Sequence, residues 1–256
     1  MKKITIYLIL IFIICIIFSN FFLHYIPIEN FKPNLNENDW LDELFDYRRV
    51  ITIPERISYV ENFCKSFNIK TNIFNAILKK DLSYNNPYNL KIGEIACALS
   101  QETVLRDFIA SNTRHMLILE DDNVPFTHKF YSDVGLKLDY IKEYTKIAVN
   151  SLPSDWDVLY LGRCWDDCTN HTIINNYLVK TSRTLCHHAI AFSRKGANII
   201  LNAISHPLNV PIDHIVANLT LLGKINSYAT ILPIFYQNRG ELDSTIGNYD
   251  HLPICL

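Results

Sequence analysis

Three consecutive carboxylates, Glu120, Asp121 and Asp122, follow directly on the apolar run Met116-Leu117-Ile118-Leu119, and Pro125 closes the segment soon after. A short apolar run bounded by turn residues predicts a buried strand. In an open α/β sheet, ligands bind in the crevice outside the carboxyl ends of such strands. Carboxylates converging there can hold a divalent cation, because Mg²⁺ or Mn²⁺ takes one or two protein carboxylates while phosphate oxygens and water complete its shell. The competing reading is a turn whose acids are simply solvated, since Asp and Asn favour turns.

Other residues carry weaker signals. Arg56, just after a predicted strand, can pair with a diphosphate or merely stabilise its own helix. Cys164-x3-Cys168-x2-His171, with His187 nearby, has a loose metal-ligand spacing, and a disulfide or free thiols suit those cysteines better. His187-His188 reads as one buried and one exposed ring. Gln237 and the segment Asp243-Ser244-Thr245 read either as a loop over a site or as an ordinary surface loop.

The elements that must position these residues follow from hydrophobic periodicity. Strands are predicted at Arg49–Ile53, Ile73–Ile77, Met116–Leu119, Asp157–Leu161, His188–Phe192 and Tyr228–Leu232. Between them lie helical patterns: one opened by Pro54-Glu55 with Ile57, Val60, Phe63, Cys64 and Phe67 on one face, a long one over Ile92–Ala110, and a polar one over about Lys129–Asn150. Two more are predicted at Lys195–Ala203 and Asp213–Leu222. Strands alternating with helices predict an α/β fold, a mostly parallel sheet covered by helices on both faces.

The chain of 256 residues is 49% hydrophobic and 20% charged with a net charge of -2, and no basic cluster or surplus suggests nucleic acid as a partner. Its start is different. Ile4–Ile26 contains no Asp, Glu, Lys or Arg, follows Lys2 and Lys3, and ends at Pro27. It is long enough to cross about 30 Å of hydrocarbon as a helix. A cleaved signal peptide should be shorter and end in a small-x-small site, which Asn20-Phe21-Phe22-Leu23-His24 lacks.

The expected organisation is a cytosolic tail at 1–3, a transmembrane signal anchor at 4–26, an Asn-rich stem at 27–46 and a catalytic domain at 47–256. That is a single-pass type II membrane protein, with its domain lumenal or extracytoplasmic, in the ER or Golgi if the cell is eukaryotic. Of seven cysteines, Cys15 lies in the anchor; Cys64, Cys97, Cys164, Cys168, Cys186 and Cys255 remain to pair in an oxidising compartment. Asn170-His171-Thr172 and Asn218-Leu219-Thr220 are N-glycosylation sequons.

The blocks VITIPERISYVENF, LKIGEIACALSQETVLRDF, HMLILEDDNVPF, WDVLYLGRCW, HHAIAFSRKGA, PIDHIV and FYQNRGELDSTI occur in the order, and at about the spacing, of glycosyltransferase family 25. The chain resembles that family, which includes lipooligosaccharide and procollagen galactosyltransferases, over residues 48–247. The resemblance implies a Rossmann-like GT-A fold, a UDP-sugar donor, Mn²⁺ (or Mg²⁺), and inverting transfer of a hexose, galactose or glucose, to a hydroxyl of a glycan or glycoprotein. It makes Asp121 and Asp122 the metal ligands. Arg56, Gln101, Glu120 and His188 become candidates for holding the donor. Two positions depart from the family: Gln101 stands where a His is common after Ser100, and Ile190 where a Tyr is common.

The chemistry has its own logic. Cleaving a sugar–diphosphate bond builds negative charge on the leaving group, which a cation stabilises, and the acceptor hydroxyl needs a general base. Asp213, opening a late helix where GT-A enzymes often present that base, is the first candidate; its alternative role is an N-cap. Asp166 and Asp167, beyond a strand end, are the reserves. Rival readings are an inactive protein of the same fold that binds glycans or nucleotide sugars, and a metal-dependent phosphohydrolase.

Overall fold

A computed structural model describes residues 39–70, 72–83, 86–125, 138–238 and 242. The predicted anchor, most of the predicted stem, the first part of the predicted polar helix, the Asp243-Ser244-Thr245 segment and Cys255 lie outside the described residues. Among the described residues, no helix is long and apolar enough to cross a membrane.

The strands in chain order are β1 (Tyr47–Thr52), β2 (Asn72–Asn75), β3 (His115–Glu120), β4 (Asn123–Pro125), β5 (Val158–Gly162) and β6 (Trp165–Asp166). They continue with β7 (Thr172–Ile173), β8 (Leu178–Lys180), β9 (Thr184–Leu185), β10 (Ala189–Ser193), β11 (Ser227–Thr230) and β12 (Phe235–Gln237). The α-helices are α1 (Ile57–Ser66), α2 (Ile92–Ala110), α3 (Leu138–Asn150), α4 (Arg194–Ala203) and α5 (Ile212–Leu221). Local chemistry explains their starts. The Glu94 carboxylate accepts the Lys91 N–H at 2.8 Å ahead of α2, and the Ser193 hydroxyl accepts the Gly196 N–H at 3.1 Å as the N-cap of α4.

Eight strands form one sheet in the order β2-β1-β3-β10-β5-β11-β8-β7. β1 runs parallel to β2 and β3, and β5 parallel to β11. β10 runs against both of its neighbours, β3 and β5, and β8 runs against β11 and β7. The sheet is therefore mixed, which corrects the mostly parallel expectation. Parallel neighbours need a crossover, usually a helix. Between β5 and β10 the chain instead makes short strands and one 3-10 turn, so β10 returns antiparallel.

Alternation along the strands sorts the side chains to two faces. Val50, Leu117, Leu119, Leu159, Leu161 and Ala191 point to the side covered by α1 and α3, where they meet Val60, Phe63, Ile141, Tyr144 and Ala148. Ile51, Met116, Ile118, Val158, Tyr160 and Phe192 point to the other side and meet Val104, Leu105 and Phe108 of α2, Ala197 and Ile200 of α4, and Val216 of α5. Helices on both faces are as predicted. One boundary moves: Leu41, Leu44 and Phe45, assigned to the stem, are buried in the first of these layers. Asp39, also assigned to the stem, is buried and accepts the Leu41 N–H at 2.9 Å while pairing with Arg48.

Two small two-stranded sheets complete the fold, β4 with β12 and β6 with β9. Gly162 lies where chains crowd, since a Cβ there would stand 2.4 Å from the His188 ring and 2.7 Å from the Phe235 carbonyl oxygen. That close approach ties the end of β5 to the segments around His188 and β12.

Candidate functional site

The carboxyl ends of β1, β2 and β3 open on a cleft of about 390 Å³. Its walls include Ile53 and Arg56 after β1, Ile77 to Lys80 after β2, Ala96, Cys97 and Ser100 of α2, Glu120 to Asp122 after β3, and Gln237 of β12. A larger hollow of about 610 Å³ lies at the amino ends of β1 and β2, beside Arg48, Glu61 and Lys70. The carboxyl-end cleft is the candidate site, because the convergent titratable groups and the strand ends that bind ligands in α/β sheets are there.

The three acids of the run have three different environments. Asp121 is fully engaged: Oδ1 pairs with Arg56 Nη1 at 2.8 Å, and Oδ2 accepts the Thr52 hydroxyl and the Ile53 N–H at 3.1 Å each. Arg56 thus stands at the cleft wall on a carboxylate that also pins the end of β1. Asp122 accepts Gln237 Nε2 at 3.1 Å through Oδ2, and its carbonyl accepts the Asn238 N–H at 2.7 Å. Glu120 accepts Gln101 Nε2 at 3.2 Å. Burial, and then the charges of Asp122, Asp121 and Asp213, push the Glu120 carboxyl up to about 8.

Asp213 comes from another part of the chain to the same charge cluster. It is the second residue of α5, whose N-cap is Pro211, so it does not cap the helix as the alternative reading had it. It accepts the Cys186 N–H at 3.3 Å and the His214 N–H at 2.9 Å. Its charge acts on Glu120, raising that carboxyl, and on the buried thiol of Cys97.

Gln101, buried in α2, joins two of these groups. Its Nε2 donates to Glu120, and its Oε1 lies 2.8 Å from His187 Nδ1. Burial pushes the His187 imidazole down to about 4, against the opposing pull of Asp213, so the ring is neutral at working pH. An amide at position 101 supplies one donor and one acceptor, as a neutral imidazole at that place would.

The remaining sequence candidates sit elsewhere or act differently. His188 is not exposed to a ligand: both rings of the pair are buried, at 3% and 1% exposure, which corrects the expectation of one buried and one exposed. Its Nε2 lies 3.4 Å from the Phe235 carbonyl oxygen, and its own carbonyl accepts the Glu120 N–H at 2.8 Å. Asp166 forms a buried ion pair with Arg163 and accepts the Thr184 hydroxyl. Asp167 caps the 3-10 turn Cys168–Asn170 by accepting the Thr169 N–H at 3.3 Å. Neither aspartate lines the cleft, and Asp213, Gln101 and His188 also stand behind its lining; of these, Gln101 and Asp213 act on Glu120 directly, by hydrogen bond and by charge.

Cys164 and Cys186 form a disulfide, whereas Cys97 is a free thiol, so pairing does not extend to every cysteine after the predicted anchor. Asn170 and Asn218 of the two sequons are exposed. The sequence reading did not single out Lys79 and Lys80, exposed on the cleft wall. An adjacent lysine pair after a predicted strand end was the available signal. Thr52 and Cys97 were also missed, each being an ordinary member of a strand or helix pattern.

A family model described as glycosyltransferase family 25 (LPS biosynthesis protein) matches residues 51–216, from within β1 to within α5. The chain belongs to glycosyltransferase family 25. This family-25 domain is accordingly a glycosyltransferase, and the match spans Arg56, Gln101, Glu120 to Asp122 and Asp213. No curated protein matches it. Solved structures similar to the family-25 domain include A197 from STIV, at 13% identity and a TM-score of 0.38 over 80% of this chain and 98% of that one. Another is a glucose-1-phosphate thymidylyltransferase from Bacillus anthracis in complex with a sucrose, at 13% identity and a TM-score of 0.36 over 78% of each chain. A third is a mannose-1-phosphate geranyltransferase from Thermus thermophilus, at 9% identity and a TM-score of 0.35 over 76% of each chain.

Proposed function

We propose that this domain is a GT-A glycosyltransferase that takes a hexose, galactose or glucose, from a UDP-sugar and passes it with inversion to a hydroxyl of a glycan or glycoprotein. The carrying observation is the division of charge in the cleft. Arg56, Lys79 and Lys80 supply cations to the lining, Glu120 to Asp122 supply carboxylates at the β3 end, and Ile53, Ala76, Ile77 and Leu78 supply apolar surface. A nucleoside diphosphate sugar has complementary parts: a flat base for the apolar surface, a diphosphate for the cations and sugar hydroxyls for the carboxylates.

A divalent cation would find few protein ligands at this site. Among the described residues, no three metal-binding side chains converge, and Asp121 is committed to Arg56. Mn²⁺ or Mg²⁺ would therefore rest on Asp122 and draw its other ligands from the diphosphate and water, as small hard cations at nucleotide sites do. When bound, the cation offsets the charge on the leaving diphosphate. Arg56, held by Asp121, adds its own charge on the protein side.

Asp213 is the proposed base. The acceptor oxygen attacks the anomeric carbon from the face opposite the diphosphate, the bond from that carbon to the diphosphate oxygen breaks, and the hydroxyl proton passes to the Asp213 carboxylate. UDP leaves with the bonding electrons. The domain is proposed to work on the far side of a membrane, held by the apolar segment 4–26. Incubating the protein with UDP-galactose and UDP-glucose, with Mn²⁺ or with EDTA, and measuring UDP release tests the reading. Cation-dependent release is expected; release of inorganic phosphate from simple phosphoesters instead would assign a phosphohydrolase, and donor binding without UDP release an inactive relative.

A further inference from the structure

The segment Cys186–His188 contacts the site at several points in three residues. Cys186 is tied to Cys164 by the disulfide, adopts a left-handed backbone at φ 70° that non-glycine residues seldom take, and gives its N–H to Asp213 at 3.3 Å. His188 gives its carbonyl to the Glu120 N–H at 2.8 Å and to the Asn123 side-chain amide. Between them His187 meets Gln101, and Gln101 meets Glu120. The Glu120 main chain and side chain are thus both held from one short stretch that the disulfide keeps in place.

The direction of the His187 contact follows from the partners. Gln101 directs its Nε2 donor to Glu120, so the atom facing His187 is the Oε1 acceptor, and the ring must donate from Nδ1. A neutral imidazole with its proton on Nδ1 has a bare Nε2, and among the described residues that buried atom makes no hydrogen bond. Tyr160 and Phe192, at ring-centroid distances of 6.1 and 6.4 Å, form the apolar surroundings that keep the ring neutral.

We infer that His187 is a positioning residue that acts through Gln101 to set the rotation of the Glu120 carboxyl, so that Glu120 presents its second oxygen to a hydroxyl of the donor sugar. This rests on the reading of the cleft as a UDP-sugar site. Without the Nδ1 donor, nothing at position 187 distinguishes the two faces of the Gln101 amide, and its Nε2 can turn away from the Glu120 carboxyl, which loses that donor.

Two substitutions in the full chain separate positioning from packing. In His187→Asn the amide nitrogen stands close to the place of Nδ1 and keeps the donor; His187→Leu fills the apolar surroundings but donates nothing. Expected is a fall of about tenfold in kcat/KM for the donor in His187→Leu, the scale of one net hydrogen bond, with at least half of the wild-type value kept in His187→Asn. A purely structural role would lower both in step with their melting temperatures, and an Asn variant no better than Leu overturns the inference. Nitrogen-15 shifts of His187 give a readout free of turnover: Nδ1 must carry the proton, and it must lose that preference in Gln101→Leu. A bare Nδ1 in the wild type overturns the inference whatever the activity. A wild-type protein that turns over no UDP-sugar removes the functional reading and the role of His187 with it, while the nitrogen shifts then report on the hydrogen-bonded chain alone.

Discussion

Asp121 and Asp122 are adjacent in sequence, yet the structure gives them different partners, and the difference is chemical. Asp121 meets a guanidinium, a hydroxyl and a backbone N–H, whereas Asp122 meets the amide of Gln237. Asp122→Asn is expected to keep the fold and lose most of the Mn²⁺-dependent donor affinity, which titration of UDP-sugar with and without EDTA measures. Unchanged affinity in both conditions removes Asp122 as the cation's ligand. Glu120 supports a second expectation. A carboxyl with a usual value of 4.5 that is raised to about 8 in the fold keeps its proton where the unfolded chain has lost it. Its contribution is fully present below about 4.5 and is lost as pH rises through about 8. The metal-free protein should therefore melt at falling temperature from pH 4.5 to 8, and Glu120→Gln should flatten that part of the profile. The presence of an acidic site was legible from the carboxylates behind Leu119. The division of labour among the acids was not, because it is set by Arg56, Gln101 and Asp213, which come from α1's approach, α2 and α5.

At the scale of elements, the periodicities placed the main strands and helices close to where they lie, since alternation and the helical repeat both report burial. Direction is another matter. Nothing in the apolar run Ala189-Ile190-Ala191-Phe192 says which way it pairs, but the lack of a helical pattern between Leu161 and His188 was a legible sign against a parallel crossover. The helix α5 decides the role of Asp213. Asp213→Asn should leave UDP-sugar binding nearly intact and slow transfer by roughly 10²–10⁴ if Asp213 is the base. Because Asp213 is not the N-cap, an acidic charge in the first turn is worth only about 0.3–1 kcal/mol to the helix, so a small stability change is expected alongside. Normal turnover in that variant excludes Asp213 from proton transfer. The disulfide gives a parallel expectation at this scale. Replacing Cys164 and Cys186 together by Ser opens a loop with a sequence separation of 22. Chain-entropy reasoning sets the loss at about 3 kcal/mol, measurable by urea unfolding.

For the whole molecule, the buried side chains ahead of β1 describe a domain that begins earlier than the family match at residue 51 and the sequence blocks suggest. Leu41 and Phe45 are fully buried, so cutting within residues 39–46 should destabilise the domain, whereas removing 1–26, the segment proposed as the anchor, should leave a folded protein. Sedimentation and thermal melting of the two truncations distinguish these outcomes. The early start was not legible because Asp39 to Asp46 alternates charge with isolated apolar residues, and only the docking of Leu41, Leu44 and Phe45 against α1 and α3 explains them.

The position of β10 has a consequence in time. It lies between β3 and β5, pairing Ala189 with Leu119 and Phe192 with Val158, so the centre of the sheet is filled by a strand synthesised after both of its neighbours. Such separated pairings raise the contact order and slow folding. On a ribosome, β3 and β5 emerge with unpaired edges facing one another, and an open strand edge is a template for joining the wrong chain. The main chain of Glu120 gains its hydrogen bond only when His188 arrives, and the Asp122 carboxylate meets Gln237 later still. A nascent chain halted before residue 188 therefore has every acid of the Glu120 run and no site, and binding of a nucleotide sugar should appear abruptly with chain length rather than in proportion to it.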